Sequence, residues 1–173
     1  MKWNTPMRRF AALLSLAWIA ASPVRAETFE SIKEAIRKKF PGVNQISTVE
    51  LAAWLADTNR PVPLLVDVRA ADEFAVSHLR AARNLTSVEE VRATLRTNAQ
   101  PVVVYCSVGY RSSALGEKMQ RAGLTNVVNL EGSLFQWANE RRPLYRGTNE
   151  VREIHGYNRK WSKLLNTNVA VKF

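Results

Sequence analysis

Residues 102–114 read Val-Val-Val-Tyr-Cys-Ser-Val-Gly-Tyr-Arg-Ser-Ser-Ala, a run of β-favouring residues that leads through a cysteine into a helical pattern. Four apolar or aromatic residues in succession are typical of a buried parallel strand. From Arg111 onward, Leu115, Met119 and Ala122 recur at spacings of four and three, as they would on one face of a helix. The sequence therefore predicts a strand that passes through a short loop directly into a helix.

Cys106, the only cysteine of the chain, lies in this loop. The first N–H groups of a helix have no partner inside the helix, and they add to the positive end of its dipole. A thiol beside them loses its proton more readily, because these donors stabilise the thiolate. Gly109 suits a tight turn, and Arg111 adds a fixed positive charge. These features favour a nucleophile over the alternative of a buried structural cysteine. The predicted anion cradle around Cys106 consists of Ser107, Val108, Gly109, Tyr110 and Arg111.

Further landmarks surround this loop in a fixed order. They are Asp67-Val68-Arg69, Glu73-Phe74, His78-Leu79, Ala81-Ala82-Arg83-Asn84, Cys106 to Arg111, and Leu130-Glu131-Gly132 before Trp137. Together they resemble the landmarks of a single rhodanese (sulfurtransferase) domain. The resemblance implies an α/β fold with a parallel central sheet, helices on both faces, and a cysteine that carries sulfur as a persulfide. The chain departs from the family at Ser107, where Arg or Lys often follows the cysteine, and at Ser133, where a second glycine often stands.

The local pattern agrees with such a fold. Strand and helix patterns alternate over residues 45–143, which favours a parallel sheet covered on both faces. Ser87 is expected to cap a helix from Val88 to Thr97, and Ser133 is expected to cap a final helix that carries Trp137. In sheets of this kind, ligands bind beyond the carboxyl ends of the strands, where Cys106 stands.

Polar residues near the predicted sheet are candidates for structural support of the site. Asp67 interrupts an apolar run and needs a partner if it is buried, and we expect N–H groups of a neighbouring loop to supply it. Arg69 and Glu73 stand four apart and are expected to pair on the following helix. His78 is a candidate general base, but the resemblance implies a structural hydrogen-bonding position instead.

The chain ends outside this domain have their own signatures. Residues 1–26 read as a cleaved export signal, with a basic start, the apolar run Phe10–Ala21 and small residues before Glu27. The mature protein is therefore expected in the bacterial periplasm or secreted, without a stable membrane anchor after cleavage. Residues 27–44 carry an amphipathic helix, for which packing on the domain is favoured over a partner or membrane-surface role.

The last segment, residues 144–173, is basic and rich in aromatic residues. Trp161, Leu164 and Leu165 have helical spacing, which favours a helix that covers an apolar patch. In the alternative interpretation, Tyr157 or Trp161 shades the active loop. The sequence leaves both alternatives open.

The composition of the chain limits the classes of partner and cofactor that are expected. The chain has 173 residues and a formal net charge of +10, and the residues after 26 keep about +6 because residues 1–26 hold four basic and no acidic residues. Basic residues are interspersed with acidic ones, so nucleic acid is not an expected partner. No histidine stands at a metal-ligand spacing from Cys106, so no metal site is expected. A single cysteine excludes an internal disulfide and a two-cysteine mechanism within the chain.

The loop length separates two related chemistries. Four residues stand between Cys106 and Arg111, whereas cysteine phosphatases that resemble rhodanese have five. A shorter loop suits one sulfur atom better than a tetrahedral phosphate or arsenate. The resemblance implies double displacement without a cofactor: a small anionic sulfur donor such as thiosulfate loads Cys106, and cyanide, a thiol or an acceptor protein unloads it. The alternatives are a sulfur-carrier or binding module with little turnover, and a phosphatase or arsenate reductase.

Overall fold

A computed structural model of the chain describes Met1 and residues 28–97 and 99–173. The predicted export signal falls almost entirely on residues 2–27, which lie outside the described residues. Within the described ranges, no helix combines the length and the apolar character needed to cross a bilayer.

A parallel sheet forms the centre of the described part of the chain. Its strands are β1 (Asn44–Ile46), β2 (Leu64–Asp67), β3 (Arg83–Asn84), β4 (Val102–Tyr105) and β5 (Val127–Leu130). They lie in the order β1-β5-β4-β2-β3, and every neighbouring pair is parallel. The apolar runs of β2 and β4 are buried along their whole length, as expected of strands covered on both faces. The predicted α/β fold with a parallel central sheet is confirmed.

Helices precede, connect and follow these strands. In the described residues they are α1 (Phe29–Lys39), α2 (Thr48–Ala56), α3 (Ala71–Val76), α4 (Val88–Thr94), α5 (Tyr110–Arg121) and α6 (Ser133–Asn139). Ser87 caps α4 as predicted, but α4 ends at Thr94 rather than Thr97 because Leu95 adopts an extended backbone. The prediction for Ser133 is wrong. Gly132, with a φ of 69°, occupies the N-cap of α6, and Ser133 is the first helical residue.

Alternate residues of the strands feed two cores on opposite faces of the sheet. Leu65, Val103 and Tyr105 join one core with α1, α2 and α6. Leu64, Val102 and the residues two along each strand join the other core with α4 and α5. Helix α1 contributes its buried apolar side chains to the first core, so it packs on the domain.

The C-terminal extension, residues 144–173, also packs on the domain. It contains an antiparallel hairpin of β6 (Leu144–Arg146) and β7 (Asn149–Val151), a parallel pair of β8 (Glu153–His155) and β9 (Ala170–Lys172), and a 3₁₀ turn at Trp161–Leu164. His78 and Tyr145 exchange two backbone hydrogen bonds of 2.8 Å. Leu144 and Ile154 are buried in the first core. The extension is thereby fixed beside the end of α3.

Candidate active site

Cys106 stands between β4 and α5, at the carboxyl edge of the sheet, as the sequence predicts. The residue is 1% exposed, yet it lines a cavity of about 150 Å³. The backbone N–H of Gly109 donates a hydrogen bond to the Cys106 sulfur at 3.1 Å. Gly109 is the N-cap of α5 and has a φ of 106°, a conformation that glycine adopts without strain. Of the predicted donors of residues 107–111, the amide of Gly109 is the one that the described structure brings into hydrogen-bond contact with the sulfur.

The start of α6 holds the backbone of this loop in place. The Cys106 N–H donates to the Ser133 hydroxyl at 3.0 Å, and that hydroxyl donates to the Leu130 carbonyl at 3.1 Å. The N–H groups of Leu134 and Phe135 donate to the carbonyl oxygens of Cys106 and Ser107. The side chain of Ser133 therefore ties the nucleophile loop to β5 instead of capping its own helix.

Arg111 is bound to Glu73 across the loop. Its Nη1 lies 2.7 Å from Oε2 and its Nη2 lies 2.8 Å from Oε1 of Glu73, a two-point contact between α5 and α3. The Ser107 hydroxyl accepts from Arg111 at 3.1 Å and donates to Glu73 at 3.2 Å. Ser107, which replaces the basic residue common in the family, thus completes a three-membered polar cluster.

The two charges stabilise each other. Burial acts to raise the pKa of Glu73, but the hydrogen bonds from Arg111 and from the Ala70 backbone outweigh it, and the pKa lies below its usual value. Burial acts to lower the pKa of Arg111, but the bonds to Glu73 and the nearby charge of Cys106 raise it above its usual range. Arg111 therefore stays cationic beside the cysteine.

Asp67 and Arg69 form a second pair, and this corrects the predicted pairing of Arg69 with Glu73. Arg69 Nη2 lies 2.7 Å from Asp67 Oδ2, and the Arg69 Nε and backbone N–H both donate to Oδ1. The spacing of four had suggested one helix face, but Arg69 precedes α3, which begins at Ala71. The donors to the Asp67 carboxylate are thus the guanidinium and backbone N–H of Arg69, two residues along the same segment, instead of the predicted N–H groups of a neighbouring loop.

His78 contacts structural groups rather than the cavity around Cys106. Its Nδ1 donates to the Leu79 carbonyl at 2.8 Å, and its Nε2 accepts from the Gly147 N–H at 3.3 Å. Its ring stacks on Phe74 at a centroid distance of 4.2 Å. These contacts favour the structural interpretation over a general base.

The C-terminal extension supplies one wall of the cavity. Tyr157 and Trp161 line it together with Val108, Tyr110 and the loop residues around Cys106. The Arg111 guanidinium lies over the Tyr157 ring, 4.8 Å from its centre. Trp161, Leu164 and Leu165 also pack against the first core. The structure therefore supports both alternatives, because the segment covers an apolar patch and Tyr157 and Trp161 shade the loop. Both residues were candidates from the sequence, but no motif predicts their contact with the cavity around Cys106.

Among the described residues, no group of three or more His, Cys, Asp or Glu side chains is placed to hold a metal ion. The chemistry that the described geometry offers is that of a thiol with one amide donor and one neighbouring cation. Such a site suits transfer of a group that carries negative charge on sulfur.

Known proteins are similar to this chain in sequence and in fold. The sequence profile of the rhodanese-like domain matches residues 47–140, more than half of the chain. A sulfurtransferase of Allochromatium vinosum is 32% identical over 59% of this chain and 94% of its own length. The uncharacterized protein YqhL of Bacillus subtilis is 32% identical over 44% of this chain, which spans 61% of that relative's length.

The fold is similar to that of a thiosulfate sulfurtransferase from Pseudomonas aeruginosa. The TM-score is 0.58 at 19% identity, over 69% of this chain and 23% of that protein. At this identity the similarity concerns the fold alone. The match of the sequence profile and the relative from Allochromatium vinosum carry the assignment further, and they show that this chain belongs to the rhodanese-like domain family.

Proposed function

We propose that this protein is a sulfurtransferase that carries a sulfane sulfur on Cys106 as a persulfide, between a sulfur donor and a thiol or cyanide acceptor. The observation that supports this most directly is the hydrogen bond from the Gly109 N–H to the Cys106 sulfur, at 3.1 Å. An oriented N–H donor stabilises negative charge on this atom. The attacking thiolate carries such charge, and so does the thiolate that Cys106 regains when the persulfide is unloaded.

The first half-reaction moves one sulfur atom. The Cys106 thiolate attacks the outer sulfur of the donor, an S–S bond to Cys106 forms, and the S–S bond inside the donor breaks. With thiosulfate, the electron pair of the broken bond leaves with sulfite. The step needs no external oxidant or reductant.

The second half-reaction releases the sulfur to another molecule, because Cys106 is the only cysteine of the chain. A thiol, cyanide or the thiol of an acceptor protein attacks the outer sulfur of the persulfide. The S–S bond to Cys106 breaks, and the Cys106 thiolate returns to its starting state.

A sulfur carrier with little turnover is the second candidate, and the binding of Arg111 to Glu73 favours it. The guanidinium is bound at two points to Glu73, and Arg111 is the one charged side chain among the described residues that line the cavity. A dianion such as thiosulfate would find little uncompensated positive charge there. Steady-state rates with thiosulfate and with a thiol persulfide separate the candidates, since a carrier shows little turnover with either.

Intact mass spectrometry tests the proposal. After incubation with thiosulfate or a thiol persulfide, the protein should gain the mass of one sulfur atom, and cyanide should remove it. Cys106→Ser is the matched control and should gain none. A wild-type protein that takes sulfur from neither donor would contradict the proposal. A phosphate-ester assay run beside it should show no turnover, because the loop of four residues suits a single sulfur atom.

Export to the periplasm is part of the proposal, and the basic start and the run Phe10–Ala21 support it. The mass of protein purified from its native compartment tests this part. We expect a chain that begins at Glu27, and a chain that keeps residues 1–26 in the cytoplasm would contradict it.

A further inference from the structure

We infer that Tyr157 and Trp161 make the Cys106 site selective for hydropersulfides with an apolar organic body, in preference to the thiosulfate dianion. The inference rests on the proposed sulfur transfer and names its substrate class. We call these two side chains the aromatic wall. Both lie beyond residues 47–140, the part of the chain that matches the rhodanese-like domain.

The first argument is the lining of the cavity. Beyond the Cys106 sulfur and the cluster of Ser107 and Arg111, the cavity is bounded by Val108, Tyr110 and the aromatic wall. A volume of about 150 Å³ exceeds the 10–15 Å³ or so that one water molecule needs. The cavity therefore has room for an organic group beside the sulfur, and its aromatic surfaces favour an apolar one.

The second argument is the balance of charge. Arg111 carries the cavity's positive charge among the described lining residues, and Glu73 neutralises it through two hydrogen bonds. The Tyr157 ring covers a face of the same guanidinium. Lys160, whose ammonium lies 5.5 Å from the centre of the Trp161 ring, does not line the cavity. A dianion that enters the cavity would lose its hydration shell without binding a cation that is not already neutralised. An uncharged organic group has a much smaller free-energy cost of desolvation.

The third argument is that the aromatic wall is held in position. The Asn158 side chain accepts from the N–H groups of Lys160 and Trp161, each at 3.0 Å, and orders the start of the 3₁₀ turn. Asn139 on α6 donates to the Leu164 carbonyl at 2.7 Å and accepts from the Asn166 N–H at 2.8 Å. The turn that carries Trp161 is thus fixed at both ends, and the Tyr157 ring rests on the Arg111 guanidinium, so a substrate does not have to order the wall on binding.

The reaction balances with this substrate. The Cys106 thiolate attacks the outer sulfur of R–S–SH, the S–S bond of the hydropersulfide breaks, and the electron pair leaves with the thiolate R–S⁻. Cys106 becomes the persulfide, which keeps the proton of the attacked sulfur until that proton is exchanged with water. The organic group R rests against the aromatic wall during the attack.

The test compares two donors, benzyl hydropersulfide and thiosulfate, at equal concentration and pH. The rate of mass gain on Cys106 is measured for wild type, Tyr157→Asn, Trp161→Ala and the control Tyr145→Asn. Tyr157 has a φ of 62°, a conformation that asparagine tolerates, so Tyr157→Asn removes the ring without adding backbone strain. Tyr145 belongs to the same extension but lines a different surface groove.

We expect wild type and Tyr145→Asn to react with benzyl hydropersulfide about tenfold faster than with thiosulfate, the scale of one well-packed ring contact. In Tyr157→Asn and Trp161→Ala this ratio should fall by about fivefold or more. A wild type that prefers thiosulfate, or ratios that match Tyr145→Asn in both wall variants, would overturn the inference alone. Sulfur uptake from neither donor would overturn the proposed function as well.

Discussion

Two carboxylate–guanidinium pairs lie close to helix α3, and they differ in their access to solvent. Both side chains of the Asp67–Arg69 pair are 0% exposed, whereas Arg111 of the Glu73–Arg111 pair is 35% exposed. The first pair lies inside the protein, whereas Arg111 of the second pair lines the cavity beside Cys106 and its partner Glu73 is only 4% exposed. The same chemical groups therefore serve different purposes in the two places.

The buried pair joins backbone segments. Arg69 Nη2 donates to the Ser77 carbonyl at 2.6 Å, and the Asn84 amide donates to the carbonyl oxygens of Asp67 and Arg69. These bonds fix the chain on both sides of α3. Burial, followed by the charge of Asp67, raises the pKa of Tyr105 well above its usual value, so the phenol beside the pair stays protonated. The Glu73–Arg111 pair instead joins α3 to the loop that holds Cys106.

The largest expected effect of breaking either pair is on stability, at the buried one. Asp67→Asn leaves the Arg69 charge buried without its counterion and should lower the free energy of unfolding by about 3–5 kcal/mol. Denaturant unfolding measures it. The double variant with Arg69→Met should recover part of the loss, because it also removes the unpaired charge. A single variant as stable as wild type would mean that the pair is not needed for the fold.

At the Glu73–Arg111 pair, the expected effect is on sulfur transfer. Arg111→Met removes the brace between α5 and α3 and a cation beside the sulfur, so the rate of sulfur uptake should fall about tenfold or more. Stability should fall by about 1–3 kcal/mol, less than at the buried pair, since Arg111 is partly solvated but Glu73 is left buried without its cation. Arg121→Met is the matched control, because it removes another α5 pair, with Glu117, far more exposed. Equal rates in both variants would remove Arg111 from the chemistry.

A smaller effect should follow when only the carboxylate is neutralised. Glu73→Gln keeps the shape of the cluster but leaves the charge of Arg111 uncompensated, which favours a dianionic donor. The ratio of thiosulfate uptake to benzyl hydropersulfide uptake should rise about threefold. Rates of mass gain on Cys106 measure this ratio, with Glu117→Gln as the control. A ratio that stays the same or falls would show that Glu73 does not screen Arg111 from substrates.

The smallest expected effect is the response to acid. The pKa of Glu73 is lowered in the folded protein, so its contribution to stability is complete above its ordinary value of 4.5 and is lost as the pH falls through the lowered value. Unfolding free energies of wild type and Glu73→Gln should therefore converge slightly over the interval below pH 4.5, as the pH falls through the lowered pKa of Glu73. A constant difference over this interval would contradict the link to Glu73.

The sequence was sufficient for the sheet and the cysteine loop because their signals are local. A buried apolar run, a cysteine, a glycine and a helical face follow one another within residues 102–122, and the structure has β4, the loop and α5 there. Ser133 was misjudged as a cap because Gly132 takes that position with a positive φ. N-cap preferences depend on residue type alone, so they do not predict which of two neighbouring residues adopts the N-cap backbone geometry.

The partners within the site could not be predicted in the same way. The rule for residues four apart assumes one continuous helix, and Arg69 lies before α3, where its side chain turns back to Asp67. Glu73 meets Arg111 across 38 positions of the chain, and Tyr157 meets Arg111 across 46. Such contacts are set by how separate elements pack, and no spacing in the sequence encodes them.

The lack of a side chain at Gly109 bears on how much of the chain the active site needs. A methyl group on its Cα would lie 3.3 Å from Asn129 Nδ2 and 3.5 Å from Ile36 Cδ1, besides straining the backbone at this φ. The nucleophile loop thus rests directly on helix α1, which precedes the matched residues 47–140. A shortened protein that begins at residue 47 would lack helix α1 and its contact with the loop. The backbone N–H of Gly109 would then have more freedom to turn away from the Cys106 sulfur.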